Sequence, residues 1–335
     1  MTFRKAPVIN IVAIFPLYLP WRRAGAEVMT HALLRGLAEA GHSVQVLVIP
    51  EVRRDSVLPL EEVCLDGIQI KVCTIAQLRA IFDGSRSIDV VISQLGASAT
   101  ASELARSHRA KYIEVIHGDD PRAYRNLIAG RPDLTIFNTR LLRDFFTTHC
   151  GRSEVFHPPV NPELHRIQKG SHVTLVNLRE DKGVGIFRSL AEQLPEIPFL
   201  GVVGGYGVQE TENLPKNVTI QNHTDDMRSD VWSRTRILLM PSKSESYGMV
   251  ALEAAASGIP VVSNMLAGVR EAMGSSAIYL HPRNPEAWRS QLSRLTTDPA
   301  YEQEASRNAL ARSEDIHHKH RAELAQTIQA IESLA

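Results

Sequence analysis

Two glutamates, Glu245 and Glu253, lie in a stretch with almost no other charge. Glu253 is the only charged residue within 246–269, and a carboxylate in so apolar a segment needs a hydrogen-bonding partner if it is buried. The apolar run "ILLM" precedes a short polar loop, and the pattern predicts a helix that begins near Tyr247 or Gly248. Unpaired N–H groups at a helix start can bind an anion, and ribose or sugar hydroxyls suit the glutamates. The alternative is that both are solvated surface glutamates.

Lys182 is a second candidate for binding chemistry. It follows the apolar run "HVTLVNL" (172–178) and, with Gly183, opens the next predicted helix. A lysine beside a helix N-terminus supplies a compact positive charge for a diphosphate. The alternative is that "REDK" (179–182) is a solvated charge run in a turn.

The segment 240–264 resembles the signature of the retaining glycosyltransferases of family 4, which have the GT-B fold. That signature reads approximately "PSxxEgfGxxxxEAmAxGxPVV", with seven residues between its two glutamates. The matching residues are Pro241, Ser242, Glu245, Tyr247, Gly248, Glu253, Ala254, Gly258, Pro260, Val261 and Val262. The resemblance implies that Glu245 contacts the donor sugar and that Glu253 binds the nucleotide ribose. Glu271 stands where the family has its "gGxxE" turn.

The resemblance implies a donor site built from several segments. Its expected members are Gly25, Arg179, Lys182, Glu245, Ser246, Tyr247, Gly248, Met249, Val250 and Glu253. Two positions depart from the family pattern: Asn177 replaces the usual arginine, and Ala24 replaces the first glycine of the loop before the first helix. Arg179 could supply the missing charge, or the site could rely on Lys182.

Further site residues are expected from the same resemblance. His117 ends a strand where the family often has a histidine near the transferred sugar, so His117, Lys182 and Glu245 are the expected catalytic residues; the alternative for His117 is a packed or capped residue. Asp119 and Asp120 are candidates to bind acceptor hydroxyls or to cap the next helix. The residues expected near the nucleobase are Gly205, Tyr206, Asn222 and His223.

Two series of apolar runs indicate the elements that position these residues. Unbroken apolar runs separated by helix-length stretches are typical of parallel strands covered by helices, so the fold class is α/β. The first-half runs are 8–15, 44–49, 88–95, 112–117 and 134–139, and the second-half runs are 172–178, 198–205, 218–222, 237–242, 260–264 and 277–281. Residues 61–74 predict an antiparallel addition with a turn at Asp66–Gly67.

A proline-rich segment, 157–172, separates the two series and indicates a linker. We therefore expect two Rossmann-like domains facing a central cleft, as in the GT-B fold. The expected N-terminal acceptor domain is 1–160 and the expected donor domain is 161–316. A C-terminal helix, 317–335, is expected to pack back on the first domain.

Composition excludes several classes of protein. Lysine plus arginine (37) equals aspartate plus glutamate (37), which argues against a nucleic-acid partner. No run approaches the roughly 20 apolar residues of a membrane span. Three widely spaced cysteines, Cys64, Cys73 and Cys150, favour free thiols and a cytoplasmic location. "HHKH" (317–320) is interpreted as a solvated helix face, and no metal or other cofactor is expected.

The predicted function is transfer of a sugar from a nucleotide-diphosphate sugar, most simply a UDP-sugar, to a hydroxyl of a small-molecule or glycan acceptor. The expected reaction retains the anomeric configuration and needs no metal ion. Two alternatives share the fold: a non-catalytic partner protein that binds nucleotide, and a nucleotide-sugar epimerase. A dinucleotide oxidoreductase is disfavoured because "GVVGGYG" (201–207) is not a G-x-G-x-x-G between strand and helix.

Overall fold

The computed structural model describes residues 7–50, 61–82, 87–205 and 207–335. The chain divides into two compact units. The first comprises the described residues up to Pro159 together with His320–Ala335, and the second comprises Val160–Lys319. Each unit contains one sheet and its own buried cores.

Within the described residues of the first unit, eight strands form one sheet in the order β3-β4-β2-β1-β5-β6-β7-β8. They are β1 (Asn10–Phe15), β2 (Ser43–Val48), β3 (Glu62–Leu65), β4 (Ile68–Val72), β5 (Val90–Gln94), β6 (Lys111–Ile116), β7 (Leu134–Phe137) and β8 (Ser153–Val155). Every neighbouring pair is parallel except β3 and β4. The antiparallel addition with its Asp66–Gly67 turn is thus confirmed, whereas β8 had no counterpart among the predicted runs.

Helices cover both faces of this sheet because β1 is apolar on both sides. Ile11 and Phe15 pack in one core with residues of the first and last helices of the chain, while Val12 and Ile14 pack in another core on the opposite face. The helices that complete the first unit before residue 160 are α1 (Gly25–Glu39), α2 (Ile75–Ile81), α3 (Ser98–His108), α4 (Pro121–Gly130) and α5 (Arg140–Phe146).

The second unit repeats this organisation with six parallel strands among its described residues, in the order β11-β10-β9-β12-β13-β14. They are β9 (His172–Val176), β10 (Phe199–Val202), β11 (Val218–Gln221), β12 (Thr235–Met240), β13 (Val261–Asn264) and β14 (Ile278–Leu280). Its helices are α6 (Pro162–His165), α7 (Val184–Gln193), α8 (Met249–Ala255), α9 (Ala267–Met273) and α10 (Pro285–Thr297). The last helix, α11 (Pro299–Glu332), begins in this unit and ends in the first.

The C-terminal segment expected at 317–335 is the end of a longer helix, because α11 begins at Pro299. Its last part, His320–Ala335, belongs to the first unit. No glycine or proline follows Pro299 in the sequence, so nothing in the chain interrupts the helix. Ala309 packs in a core of the second unit, whereas Ile331 packs in a core of the first. The helix therefore contributes to both units.

Each sheet has one point at which the strand order reverses direction. In the first unit the reversal lies between β1 and β5, and in the second it lies between β9 and β12. Open parallel sheets bind ligands beyond the carboxyl ends of the strands that flank such a reversal. The loops after β9 and β12 are therefore the first place to look for a site in the second unit.

Candidate functional site

The two loops at the strand-order reversal of the second unit bring together Lys182 and Glu245. The Lys182 Nζ lies 2.7 Å from the Glu245 Oε1, and both side chains are largely buried. The Ser242 hydroxyl donates a hydrogen bond of 2.8 Å to the same carboxylate oxygen. A cation and a carboxylate from separate strand ends thus form one charged pair, held by the hydroxyl of a serine from the same signature segment.

Close backbone contact explains why the two loops meet. Gly183 has a φ of +87°, and a Cβ placed on it would lie 2.6 Å from both the carbonyl oxygen and the Cγ of Pro241. In addition, the backbone N–H of Lys243 donates to the carbonyl of Asp181 at 2.8 Å. Only glycine combines that backbone conformation with so close a neighbour. The Lys182–Gly183 sequence therefore sets both the charge and the approach of the second loop.

The loop after β12 leads directly into α8. Gly248 adopts a φ of +92° and forms the N-cap, so α8 begins at Met249, one or two residues later than expected. Ser246 is exposed and Tyr247 is buried. The Ala251 N–H donates to the Gly248 carbonyl at 3.0 Å. The N–H groups of Met249 and Val250, in the first turn, have no acceptor within the helix and suit an anion.

Glu253 lies on α8 among buried alanine and leucine side chains and is itself half-buried, as are Met249 and Val250. α9 packs against the loop that precedes α8, because a Cβ on Gly268 would lie 2.3 Å from the carbonyl oxygen of Ser246. Glu271 lies on α9, and its carbonyl accepts a hydrogen bond from Arg312. The two glutamates of the signature are thus carried by one loop and one short helix.

The residues at the position of the missing arginine have other partners. Asn177 is buried, has a φ of +74°, and accepts a hydrogen bond of 3.0 Å from the Gln209 side chain. Arg179 forms an ion pair with Asp181 (Nε to Oδ1, 2.8 Å) and lies against Gly207. The Arg179 guanidinium is therefore already neutralised by a carboxylate of its own loop, and its role toward a donor stays a prediction.

The residues expected near a nucleobase follow β10 and β11. Gly205, Asn222 and His223 are exposed, and a Cβ on Gly205 would lie 3.1 Å from the His223 ring. The two loops therefore touch at the carboxyl edge of the sheet. Tyr206 lies outside the described residues.

In the first unit, His117 lies one residue beyond β6, at the carboxyl edge of the sheet. Its Nε2 lies 2.7 Å from the Gln94 Oε1, and Asn138 donates a hydrogen bond to its carbonyl at 3.2 Å. With the amide oriented this way, Nε2 carries the proton and Nδ1 is free of it. Burial lowers the pKa of His117 to about 4, so the imidazole is neutral at pH 7.

The start of α1 contains a buried carboxylate that the sequence analysis had not assigned to a site. Glu27 lies in the first turn, two residues after the exposed Gly25, and burial raises its pKa. Its Oε2 accepts no hydrogen bond from the described residues. In the sequence, the only indication of this carboxylate was its place in "AGAE" (24–27), at the end of the loop that contains Gly25. Ala24 is the N-cap in an extended conformation.

Asp120 is the N-cap of α4: its carboxylate accepts hydrogen bonds from the backbone N–H groups of Arg122 (2.7 Å) and Ala123 (3.2 Å). This geometry favours the capping interpretation for Asp120. Asp119 is exposed beside it. The structure therefore brings Lys182 and Glu245 together in the second unit, whereas Gly25, His117 and the two aspartates belong to the first.

The part of the chain that the structure describes contains no group of three or more histidine, cysteine or acidic residues that could hold a metal ion. Its cysteines, Cys64, Cys73 and Cys150, are free thiols. Among the same residues, no helix combines the length and the apolar character needed to cross a membrane.

Comparison with protein families identifies the chain. The model described as "Glycosyltransferase Family 4" matches residues 23–164, and the model described as "Glycosyl transferases group 1" matches residues 162–298. The chain belongs to the group 1, family 4 glycosyltransferases. The Lys182–Glu245 pair lies within the second match.

Two curated relatives of the chain share a name. The chain is 27% identical over 237 residues to the D-inositol 3-phosphate glycosyltransferase of Streptomyces bingchenggensis, covering 57% of this chain and 52% of that protein. It is 25% identical over 252 residues to the enzyme of the same name from Streptomyces avermitilis, covering 62% of this chain and 54% of that protein. The chain thus spans about half the length of these relatives.

Solved structures show the fold over nearly the whole chain. Sucrose-phosphate synthase from Thermosynechococcus elongatus superposes with a TM-score of 0.79 at 14% identity, covering 97% of this chain and 99% of that one. Anabaena Alr3699/HepE in complex with UDP and glucose gives a TM-score of 0.77 at 14% identity, covering 97% and 100%. The family 4 glycosyltransferase therefore has the GT-B fold.

Proposed function

We propose that this protein transfers a sugar from a nucleotide-diphosphate sugar, most simply a UDP-sugar, to an acceptor hydroxyl with retention of the anomeric configuration. The observation that carries the proposal is the 2.7 Å pair between Lys182 and Glu245 at the strand-order reversal. Its cation suits a diphosphate and its carboxylate suits sugar hydroxyls. The crystallised Anabaena protein that binds UDP and glucose supports this choice of donor.

The second unit is proposed to stabilise the leaving group. When the donor binds, a phosphate oxygen replaces Glu245 beside Lys182, and Glu245 turns to the sugar hydroxyls. The N–H groups at the start of α8 add donors for the same phosphate, and Glu253 on α8 binds the ribose. Negative charge develops on the departing diphosphate during transfer. Lys182 and the N–H groups of α8 are by then already oriented toward it, so they lower the barrier and need not reorient during the chemical step.

Retention follows from attack on the same face of the sugar. The bond between the anomeric carbon and the phosphate oxygen breaks, the bond to the acceptor oxygen forms on that face, and the departing phosphate oxygen accepts the acceptor proton. A neutral His117 can hydrogen-bond to the sugar without placing a positive charge beside an oxocarbenium-like centre. Because Lys182 and the helix N–H groups provide the charge stabilisation, we propose that no divalent ion is needed.

The first unit is proposed to bind a small-molecule or glycan acceptor. Its carboxyl edge carries His117, which Gln94 holds, and the start of α1, where the Glu27 Oε2 accepts no hydrogen bond from the described residues. The curated relatives named D-inositol 3-phosphate glycosyltransferases make phosphorylated polyols the first acceptors to try. A cytoplasmic location stays a prediction.

The test is a transfer assay with radiolabelled nucleotide-sugars. The panel pairs UDP-, GDP- and ADP-sugars with polyol phosphates, free sugars and oligosaccharides, each with and without EDTA. We expect transfer from a UDP-sugar that EDTA does not reduce, and an α-linked product by the anomeric coupling constant from an α-linked donor. A β-linked product would rule out retention, and loss of transfer in EDTA would rule out metal independence.

One observation favours a second candidate, a non-catalytic partner that binds nucleotide. Asn177 is buried, bonded to Gln209 and uncharged, and the Arg179 guanidinium is paired with Asp181, so neither residue replaces the charge of the family arginine beside Lys182. Such a protein would bind UDP yet neither hydrolyse nor transfer any donor of the panel. An epimerase would instead return an isomeric nucleotide-sugar and label no acceptor.

A further inference from the structure

Gln94 holds the ring of His117 at the carboxyl edge of the first sheet. Gln94 is the last residue of β5, which flanks the reversal of strand order, and His117 follows the neighbouring strand β6. The His117 Nε2 lies 2.7 Å from the Gln94 Oε1. Asn138, which follows β7, donates to the His117 carbonyl and not to the ring. Among the described residues, Gln94 therefore makes the only hydrogen bond to a ring nitrogen of this histidine.

The amide of Gln94 is buried without a full set of partners. The side chain is fully buried, and within the described parts of the chain its Nε2 has no hydrogen-bond acceptor. A buried N–H without a partner destabilises a fold, whereas an apolar side chain of the same size would not. The next residue, Leu95, has a φ of +56°, which is unfavourable for leucine. Unfavourable features of this kind collect at functional sites, which indicates that the amide oxygen serves more than packing.

The hydrogen bond to Gln94 decides which nitrogen of His117 carries the proton. An amide oxygen only accepts, so the Nε2 that faces it must donate. Because burial lowers the pKa of His117 to about 4, the ring is neutral at pH 7 and carries a single proton. Nδ1 therefore keeps its lone pair. Since Nδ1 forms no hydrogen bond with the residues that the structure describes, it can accept one from a ligand.

We propose that Gln94 is a positioning residue, which fixes His117 in the tautomer whose Nδ1 accepts a hydrogen bond from a hydroxyl of the transferred sugar. This inference rests on the proposed function, in which His117 contacts that sugar. A nitrogen with a lone pair and no proton attracts a group that donates and repels a group that only accepts. The pair therefore selects a hydroxyl at the contacted carbon of the sugar and disfavours a carboxylate or a missing oxygen there.

Nitrogen NMR of the full chain with ¹⁵N-labelled histidine tests the tautomer without any substrate. Long-range ¹H–¹⁵N spectra at neutral pH distinguish a protonated ring nitrogen from a bare one, and His117→Gln assigns the signals. We expect the wild type to carry the proton on Nε2. Gln94→Met keeps the size and removes the acceptor, so it should show a mixture of tautomers. Asn138→Leu, which removes only the hydrogen bond to the backbone of His117, should keep the wild-type tautomer.

Two spectra would overturn the proposal: a wild-type proton on Nδ1, or a Gln94→Met spectrum identical to that of the wild type. The wild-type spectrum alone decides the first, so the test does not depend on a variant that folds. Circular dichroism should show that Gln94→Met and Asn138→Leu fold as the wild type does.

Transfer assays test whether the tautomer acts on the sugar. Nucleotide-sugars in which each sugar hydroxyl is replaced in turn by hydrogen are compared in the wild type and Gln94→Met. For one of them we expect kcat/KM of the wild type to fall about tenfold or more relative to the intact donor, and that of Gln94→Met to fall clearly less. UDP has no sugar, so both proteins should bind it equally. Equal losses in both proteins at every hydroxyl would overturn the contact. No transfer from any intact donor would instead contradict the proposed function, and the NMR spectra would still decide the role of Gln94.

Discussion

At the scale of single residues, the cation and the carboxylate of the proposed donor site neutralise each other in the absence of ligand. Lys182 and Glu245 share a short ion pair, and Ser242 binds the same carboxylate oxygen. A diphosphate must therefore displace Glu245 from Lys182 before it can bind. The displaced carboxylate then becomes free for the hydroxyls of the attached sugar.

This competition makes Glu245→Gln an informative variant. Glutamine keeps the size and an acceptor for Ser242 but no longer attracts Lys182 as a charge. We expect UDP, which has no sugar, to bind at least as tightly as to the wild type, while sugar transfer falls by about 100-fold or more. Calorimetry with UDP and the transfer assay measure the two effects. A clear loss of UDP affinity would mean that Glu245 does not act on the sugar.

Lys182→Met and Glu253→Ala should both weaken UDP binding. Each removes a charged hydrogen-bonding partner of the nucleotide, so we expect roughly a 10- to 100-fold loss of affinity, or about 1.5–3 kcal/mol. Lys243→Met is the control, since that lysine lies on the same loop as Glu245 but pairs with Glu180 at the surface. Wild-type affinity in both test variants, or an equal loss in the control, would invalidate the site assignment.

Residue type and spacing singled out Lys182, which a glycine follows, and Glu245, which an almost uncharged helix follows. The structure pairs the two side chains, and their role toward a donor stays a prediction. Residue type and spacing did not predict the ion pair of Arg179 or the burial of Glu27. The partner of Arg179 is two residues away, but whether the pair forms depends on how the loop folds. The burial of Glu27 depends on elements distant in sequence. Both features depend on tertiary structure, and a local sequence pattern does not predict them.

At the scale of elements, the approach of two loops depends on Gly183. Gly183→Ala would add a Cβ 2.6 Å from Pro241 at a φ that disfavours side chains, and we expect a loss of about 2–4 kcal/mol in the free energy of unfolding. Gly185→Ala is the matched control: it lies in α7, where a Cβ would make only an ordinary contact of 3.8 Å with the Glu180 side chain, and should stabilise by roughly 0.5–1 kcal/mol. Denaturant unfolding measures both. Equal effects would disprove the close-contact argument.

A buried carboxyl ties together three elements of the first unit. Glu114 on β6 accepts hydrogen bonds from Ser98 (2.7 Å), Asn126 (2.9 Å) and the Tyr112 hydroxyl. Burial raises the pKa of Glu114 to about 7, although these hydrogen bonds act in the opposite direction. The folded state therefore binds a proton between the ordinary pKa of a glutamate and about 7, where the unfolded state does not.

Since the folded state holds the extra proton, the contribution of Glu114 to stability is present at acid pH and is lost as pH rises through about 7. Glu114→Gln stays neutral at every pH. We expect the stability of this variant relative to wild type to rise by on the order of 1–2 kcal/mol between pH 5 and pH 8. Urea unfolding at the two pH values measures it. A pH-independent difference would show that Glu114 is ionised throughout.

The apolar runs predicted the strands of both sheets to within a few residues because parallel strands are buried on both faces. The exceptions have physical reasons. β8 is only three residues long, half-buried and at the sheet edge, so it carries no apolar run. The sequence did not show that α11 begins at Pro299. Ala309 and Ile316 pack in one core and Ile331 packs in another, so the helix does not show one continuous apolar stripe.

At the scale of the whole molecule, this division of α11 predicts separable effects. Ile331→Ala should destabilise the first unit by about 2–4 kcal/mol, because the side chain is fully buried there. Ile316→Ala, on the same helix but packed in the second unit, is the matched control. Hydrogen exchange should show faster exchange in β1 and β2 for the first variant and in α8 for the second. Identical exchange patterns would contradict the division.

The left-handed backbone conformation of Asn177 has an evolutionary consequence. Asparagine tolerates a positive φ better than most residues, and here its side chain is also bonded to Gln209 and packed on Gly204. An arginine restored at this position would meet an unfavourable backbone and a space already filled. A single substitution of Asn177 by arginine is therefore disfavoured. A relative that carries arginine at this position is expected to differ at Gln209 and in the surrounding loop as well.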